Sequence, residues 1–187
     1  MQDDIEKALT VLKNGGIILY PTDTVWGIGC DASNAEAVKK IYELKQREET
    51  KSMLVLVDNP DRILRHVKEV PEMAWQLIEL NDKPMTIIYP GAVNLAKNLV
   101  SPDGTIGIRV ANDEFCQKLI SRLNRPLVST SANISGKPSP GIFHEIAEEI
   151  KDGVDYVVSW RQDDLATASP SSIIKLGLNG EIEIIRK

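Results

Sequence analysis

The sequence predicts an α/β fold: one domain over residues 1–187 in which helices flank a twisted sheet of mixed parallel and antiparallel strands. Three observations carry this reading. Short branched apolar runs, such as Ile17-Ile18-Leu19-Tyr20 and Met53 to Val57, have the length and composition of buried strands. Segments with apolar residues at helical spacing alternate with them, the pattern of a partly parallel sheet. SSIIKL and EIEIIRK near the end alternate around Asn179-Gly180, an antiparallel hairpin signal that tolerates positive φ at both turn residues. At 187 residues the chain is long enough for one hydrophobic core and too short to suggest two.

Taken in order, Ile5, Ala8, Leu9 and Leu12 define a first helix, with Asp3 or Asp4 as its cap and Asn14-Gly15-Gly16 as its stop. The strand at residues 17–20 closes at Pro21 and leads into a loop, PTDTVWGIG. Asn34 caps a second helix carrying Ala35, Val38, Ile41 and Tyr42, which runs out in the polar stretch KQREETKS. After the strand MLVLV, Asp58-Asn59-Pro60 and Pro71 read as helix openings. MTIIY, TIGIRVA and PLVST read as further buried strands, with a helix Phe115 to Leu123, capped by Asn112, between the last two. Ile142 to Ile150 reads as a helix and Tyr156-Val157-Val158 as a strand. There is no internal repeat, low-complexity stretch or linker.

Composition excludes several classes. Hydrophobic residues at 42% and charged residues at 26% argue against disorder, collagen and coiled coil. Cys30 and Cys116 are far apart without CxxC spacing, which points to a reducing compartment, and with His66 and His144 as the only histidines no zinc pattern exists. The acidic start MQDDIEKALTVLKNGG is unlike a secretory signal and no apolar run is long enough to span a bilayer, so a cytoplasmic protein without membrane contact is expected. A net charge of −5 argues against nonspecific nucleic-acid binding by the whole surface, leaving room for a local basic patch.

Four loops rich in hydroxyl, glycine and basic residues interrupt the strands: PTDTVWGIG, KQREETKSM, TIGIR and STSANISGKPSPG. Hydroxyls and backbone amides donate to phosphate and carboxylate oxygens, and Arg or Lys supplies the charge a polyanion needs. Together they suggest a site for an anionic nucleotide and a small zwitterion. Arg109, inside the apolar run IGIRVA, must be paired or face a cavity if buried. Arg47 and Lys51 taken alone read as solvated surface, and Ser129, Ser131 and Asn133 taken alone as a strand-ending turn. Two glycines and two prolines in STSANISGKPSPG restrain six polar side chains, which favours a preorganised binding loop. Gly136-Lys137 fails the P-loop pattern, and Gly27, Gly29 and Ala32 lie too far past their strand for a dinucleotide turn. Ser172 and Lys175 would point to opposite faces of a strand, so no covalent nucleophile is in view. Both histidines read as helix-surface residues.

These loops, in this order, resemble the YrdC family of threonylcarbamoyl-AMP synthases over essentially the whole chain. PTDTVWGIG is similar to the family's PT(D/E)TVYGL loop, KQREETK to KxRxxxK, TIGIR to T(V/I)xxR, STSANISGKPS to its SAN loop and PSSII to PSTIV. The resemblance implies a YrdC-like catalytic domain that ends without the C-terminal domain of longer relatives. It implies that Thr24, Arg109, Ser129 and Ser171 bind threonine and that Arg47, Lys51, Thr105, Ser131, Ser139 and Arg186 bind ATP, with Lys51, Arg47 and Arg109 central to catalysis. Three positions depart from the family pattern. Trp26 replaces a tyrosine, Glu48 a proline after Arg47, and Leu56 a histidine that touches threonine in many relatives.

The implied reaction condenses L-threonine, bicarbonate or carbon dioxide, and ATP into threonylcarbamoyl-AMP and pyrophosphate, a nucleotidyl transfer for tRNA modification. Mg2+ accompanies the ATP and no metal site is built in. Partner proteins would carry out the final transfer, with at most weak contact to tRNA or double-stranded RNA. Two rival expectations are a noncatalytic YrdC-like module binding RNA or nucleotide, which overall acidity disfavours, and a nicotinamide-dependent oxidoreductase resting on Gly27, Gly29 and Ala32.

Overall fold

Among the described residues, nine strands form one sheet in the order β7-β1-β2-β6-β3-β5-β4-β8-β9. The computed structural model describes residues 1–48 and 53–187. In chain order the elements are α1 (Gln2–Lys13), β1 (Ile18–Tyr20), β2 (Gly27–Gly29), α2 (Ala35–Leu44), β3 (Leu54–Val57), α3 (Glu72–Leu80), β4 (Met85–Tyr89), β5 (Ile106–Val110), α4 (Glu114–Leu123), β6 (Leu127–Ser131), α5 (Glu148–Asp152), β7 (Tyr156–Val157), β8 (Ser172–Leu176) and β9 (Ile182–Arg186), with 3-10 turns at Pro60–Arg65 and Phe143–Glu145. The pairs β1/β7, β3/β5 and β4/β8 are parallel, and the other five are antiparallel. The mixed sheet expected from the sequence is therefore present.

Period-two alternation sorts the strand residues onto two faces. Ile18 and Tyr20 of β1, Leu56 of β3 and Leu127 of β6 pack with Ile5, Leu9 and Leu12 of α1 and Phe115, Leu119 and Ile120 of α4. On the other face Leu19, Ile28, Val55, Ile87 and Ile108 pack with Val38 and Ile41 of α2 and Ala74 of α3. Each of the Val, Leu, Ile and Phe side chains among these, fully buried, contributes about 1.5–3 kcal/mol of transfer free energy. Among the described residues, the cluster under α1 and α4 includes none from β4, β5 or β8. That face is helix-covered at one end of the sheet and bare at the other, and the bare half becomes the floor of a pocket.

Several local expectations need correction. Asp3 and Asp4 do not cap α1, whose N-cap is Met1; Asp4 instead accepts hydrogen bonds from the Tyr156 hydroxyl at 2.7 Å and Ser159 N at 2.8 Å. The cap of α4 is Asp113, bonded to Cys116 N at 2.8 Å, while the Asn112 N–H turns to Asp23. Asn34 does cap α2, accepting from Glu36 N and Ala37 N. The expected helix over residues 142–150 breaks at Ile146 and Ala147, which are extended. Across the break Ile146 and Ile150 are both buried in the core, and the Phe143 ring meets Trp26 at 4.9 Å. His144 is exposed as expected, but His66 is buried, because its segment pairs with the 91–94 loop through Val93 N to His66 O at 2.9 Å. Burial pushes its imidazole pKa down. In the terminal hairpin only Gly180 has positive φ (89°), and the Gly177 N to Glu181 O bond closes a three-residue loop rather than a two-residue one.

The stretch PTDTVWGIG is not wholly a loop, since Gly27–Gly29 forms β2. Its glycines have a steric cause. Tyr20 lies against this strand with its hydroxyl donating to Val128 O at 3.2 Å, and a Cβ on Gly29 would come within 2.4 Å of Val128 O and 2.7 Å of the Tyr20 ring. Close approach of the Val128 carbonyl and the Tyr20 ring explains Gly29, while a Cβ on Gly27 would meet Ser129 Oγ at 3.2 Å.

Candidate functional site

The loop leaving β1 is organised by its own hydroxyls. Thr22 Oγ1 accepts from Thr24 N at 2.9 Å and donates to Val25 O at 2.8 Å. Since the Thr22 proton is committed to that carbonyl, the 3.0 Å contact between the two hydroxyls has Thr24 as donor. Thr24 Oγ1 in turn accepts from Arg109 Nη1 at 2.8 Å. A directed chain thus runs from Arg109 through Thr24 and Thr22 to a backbone carbonyl. It leaves Thr24 one lone pair and no free proton.

Arg109 is positioned by register, because β5 pairs it with Leu56 of β3, on the face where α1 and α4 give way to open space. Its guanidinium is 3% exposed and forms a 3.1 Å ion pair through Nη2 with Asp23 Oδ1, itself 8% exposed. Asp23 Oδ2 accepts from Asn112 N at 3.1 Å. The buried Arg109 Nε has no hydrogen-bond partner, so the guanidinium retains donor capacity. This meets the requirement that a buried arginine be paired or face a cavity; it does both.

The cavity it faces has a volume of about 250 Å³. Its floor is Thr86 and Ile88 of β4, Gly107 and Arg109 of β5, and Ile173 of β8; Thr24, Val25 and Trp26 form one wall, and Ser129, Thr130 and Ser131 of β6 another. Gly27, Arg47, Met53, Leu54, Ser101, Thr105, Ser139, Pro170, Ser171 and Arg186 are the other described residues that line it. Three arginines and no carboxylate stand among these residues, which makes the pocket suited to anions. Burial lowers the pKa of both Arg47 and Arg186, and for Arg186 the Arg109 charge adds to the effect. Such crowding of partly desolvated cations is relieved by an anionic ligand.

The remaining hydroxyls are also oriented. Ser171 and Thr86 hydroxyls share a buried 2.8 Å hydrogen bond, and Arg186 Nε donates to Ser171 O at 2.8 Å. Thr105 Oγ1 donates to Asp103 at 2.7 Å, and the Lys175 and Thr105 hydrogen bonds hold the Asp103 carboxyl down to about 2. Ser131 Oγ donates to Asn133 Oδ1 at 2.5 Å. Lys45, at the end of α2, is 1% exposed and donates to the carbonyls of Ser131 and Asn133, both at 2.5 Å, while its own carbonyl accepts from Ser135 N. Burial, with the Arg47 charge adding, pushes the Lys45 amine down to about 8.

Nine predicted residues, Thr24, Arg47, Thr105, Arg109, Ser129, Ser131, Ser139, Ser171 and Arg186, come together around this one pocket from seven separate segments. Lys51 lies outside the described residues. Read alone, Arg47 was expected on the solvated surface; it is half-buried and lines the pocket. Lys45 is likewise no member of a solvated polar stretch. Sequence reasoning missed Asp23, Thr22, Thr86 and Lys45. A signal existed for Asp23, since a buried arginine demands a carboxylate, and for Thr86, a lone hydroxyl in an apolar strand. Trp26 keeps an aromatic wall, backed by Phe143 and, 5.0 Å above that ring, Lys151 Nζ.

Comparison with known proteins agrees with this picture. A threonylcarbamoyl-AMP synthase of Pseudoalteromonas translucida is 32% identical over 97% of both chains. The structure of Pyrococcus abyssi Sua5 complexed with L-threonine superposes with a TM-score of 0.82 at 28% identity, over 92% of this chain and 50% of that one, so the chain spans about half of that relative. Escherichia coli YciO, at 23% identity and a TM-score of 0.85 over the full chain and 90% of its own, shares the fold. The family described as Sua5_yciO_yrdC, telomere recombination, matches residues 10–187. With its loops gathered around one anion-suited pocket and a match over nearly its whole length, this chain belongs to the Sua5/YciO/YrdC family.

Proposed function

We propose that this chain is an L-threonylcarbamoyladenylate synthase, a nucleotidyl-transferring enzyme that condenses L-threonine, bicarbonate or carbon dioxide, and ATP into threonylcarbamoyl-AMP and pyrophosphate. The observation that carries the reading is the pocket itself: among the described residues that line it, three arginines and no acidic residue, with the Thr22 and Thr24 hydroxyls fixed in defined donor and acceptor states. Arg109 offers a planar fork to the threonine carboxylate, and the remaining lone pair of Thr24 suits a donor group such as an ammonium or hydroxyl. Ser129 and Ser171 complete the amino-acid end. Arg47, Lys51, Thr105, Ser131, Ser139 and Arg186 hold the triphosphate end. Mg2+ enters as part of the ATP substrate, bound by phosphate oxygens.

In this reaction the threonine amine and bicarbonate lose water to form a carbamate, whose oxygen attacks the α-phosphorus while pyrophosphate leaves. No protein nucleophile is needed. The chain's residues bring two anions together against their repulsion and stabilise charge on the departing pyrophosphate. Transfer of the threonylcarbamoyl group onward to tRNA belongs to partner proteins, and the cytoplasm is the compartment that supplies all three substrates. Among the described residues no helix is long and apolar enough to cross a membrane. The test is pyrophosphate release from ATP with threonine and bicarbonate each omitted in turn. Both omissions should abolish release; turnover that ignores either one overturns the synthase reading.

A further inference from the structure

Outside the pocket lining stands Arg161, whose backbone is in the left-handed region at φ 68°. Among the described residues the other non-glycine positions there are Gln46, Asn94 and Asn124. Asparagine tolerates this conformation, whereas a long side chain without a local hydrogen-bonding group is held there against its preference. Something must hold it, and the guanidinium identifies what. Nη1 donates to Thr22 O at 3.2 Å and to Asp113 Oδ2 at 3.4 Å, while Nε and Nη2 donate to Asp164 Oδ2 at 3.1 and 2.9 Å. One side chain therefore joins the loop after β1, the N-cap of α4 and the segment after β7.

All three attachments stand directly behind the amino-acid end of the pocket. Thr22 is the residue whose hydroxyl orders Thr24 N and Oγ1, and through Thr24 the Arg109 guanidinium. Asp113 follows Asn112, whose N–H fixes the Asp23 carboxylate paired with Arg109. Asp164 begins the segment that passes Gly141, where Thr167 lies within van der Waals reach of a built Cβ, and ends at Pro170 and Ser171 in the pocket wall. We infer that Arg161 is a positioning residue for the amino-acid half of the site: it clasps the Thr22–Thr24 loop to the α4 N-terminus and to the root of the segment that carries Ser171. The inference rests on the proposed function for the identity of the substrate, but not for the mechanical role. Three attachments made through Nε, Nη1 and Nη2 of one side chain suit a guanidinium and not an ammonium.

Glycine and asparagine both accept the backbone of residue 161, so Arg161→Gly and Arg161→Asn remove the clasp without imposing a new conformation. Two measurements follow on each variant. The first is amide hydrogen exchange in the ligand-free protein, where Thr24 N–H should exchange at least about tenfold faster once its Thr22 acceptor is loosened. The second is steady-state kinetics. The threonine KM should rise at least about fivefold while the ATP KM and kcat change less than about twofold, the signature of lost uniform binding at one substrate. Arg161→Lys should recover only part of the loss. Unchanged Thr24 exchange in both variants overturns the inference whatever the substrate, as does a threonine KM within twofold of the parent. Impairment of the glycine variant alone also overturns it, because the cause would then be backbone freedom. Faster exchange in a protein whose parent makes no use of threonine leaves the clasp standing and sinks the proposed function instead.

Discussion

Arg109 and Asp23 form an ion pair whose two members are 3% and 8% exposed, and Arg109→Leu removes one of them while keeping an apolar side chain of fitting length in β5. Removing one partner of a buried pair leaves the other charge desolvated and costs roughly 3–5 kcal/mol. The pocket admits solvent to one side of the guanidinium, so the lower end applies, about 3 kcal/mol, with up to about 1 more for the lost bond to Thr24. For a chain of this size that corresponds to a fall in melting temperature on the order of 10 °C. Adding Asp23→Asn removes the stranded charge while an amide oxygen can still accept from Asn112 N. The double variant should therefore recover at least about 2 kcal/mol of the loss, a coupling read directly from a double-mutant cycle by urea unfolding. Threonine binding should stay lost in both proteins. An Arg109→Leu cost under about 1 kcal/mol, or a double variant no more stable than the single one, refutes the reasoning that this pair is largely desolvated.

Other outcomes are equally specific. Gly29→Ala should cost about 1–3 kcal/mol by overpacking against Val128 O and the Tyr20 ring, and Gly27→Ala, whose nearest neighbour would be Ser129 Oγ at 3.2 Å, distinctly less; equal costs in urea unfolding would show that the ring does not set the spacing. Lys45, at about 8 in the folded chain against 10.5 ordinarily, has lost a proton that the unfolded chain still holds between those values, so its contribution to stability grows as pH rises through that window. The stability of the parent relative to Lys45→Met should rise by as much as ~3 kcal/mol from about pH 7 to about pH 10, and a flat difference would contradict the burial of this amine. Serine should be used on the order of tenfold less efficiently than threonine at matched bicarbonate, since one missing methyl is worth about 1–3 kcal/mol; equal kcat/KM would mean that the methyl is not read.

Hydrophobic patterning made most of the sheet legible, because an apolar run such as IILY or MLVLV has few alternatives to a buried strand. It failed where tertiary packing decides. The helix expected through residues 142–150 has adequate local spacing, with Phe143, Ile146 and Ile150 at helical intervals, yet the backbone is extended between two short helical turns, and no residue type in the segment signals it. Cap choice between Asn112 and Asp113, or between Asp3, Asp4 and Met1, turned on which side chain a distant segment claims, and no local pattern encodes that. The site was legible to the extent that its chemistry sits in hydroxyl- and glycine-rich loops. Its supporting residues were not. Asp23, Lys45 and Arg161 act through partners 86, 88 and 139 residues away in sequence, as Arg109 with Asp23, Asn133 with Lys45, and Thr22 with Arg161.

The hydroxyl chain behind Arg109 begins at a guanidinium, which only donates, and finishes on the Val25 carbonyl, which only accepts. Such a circuit is a strut and not a wire: it fixes where dipoles point and conducts nothing. A proton released when a bound amine turns into a carbamate therefore has no exit through Thr24. It must leave on the hydroxide that bicarbonate sheds as water, or on solvent at the pocket mouth, and the rate of the first step should then follow the supply of bicarbonate rather than the ionisation of any side chain on this loop.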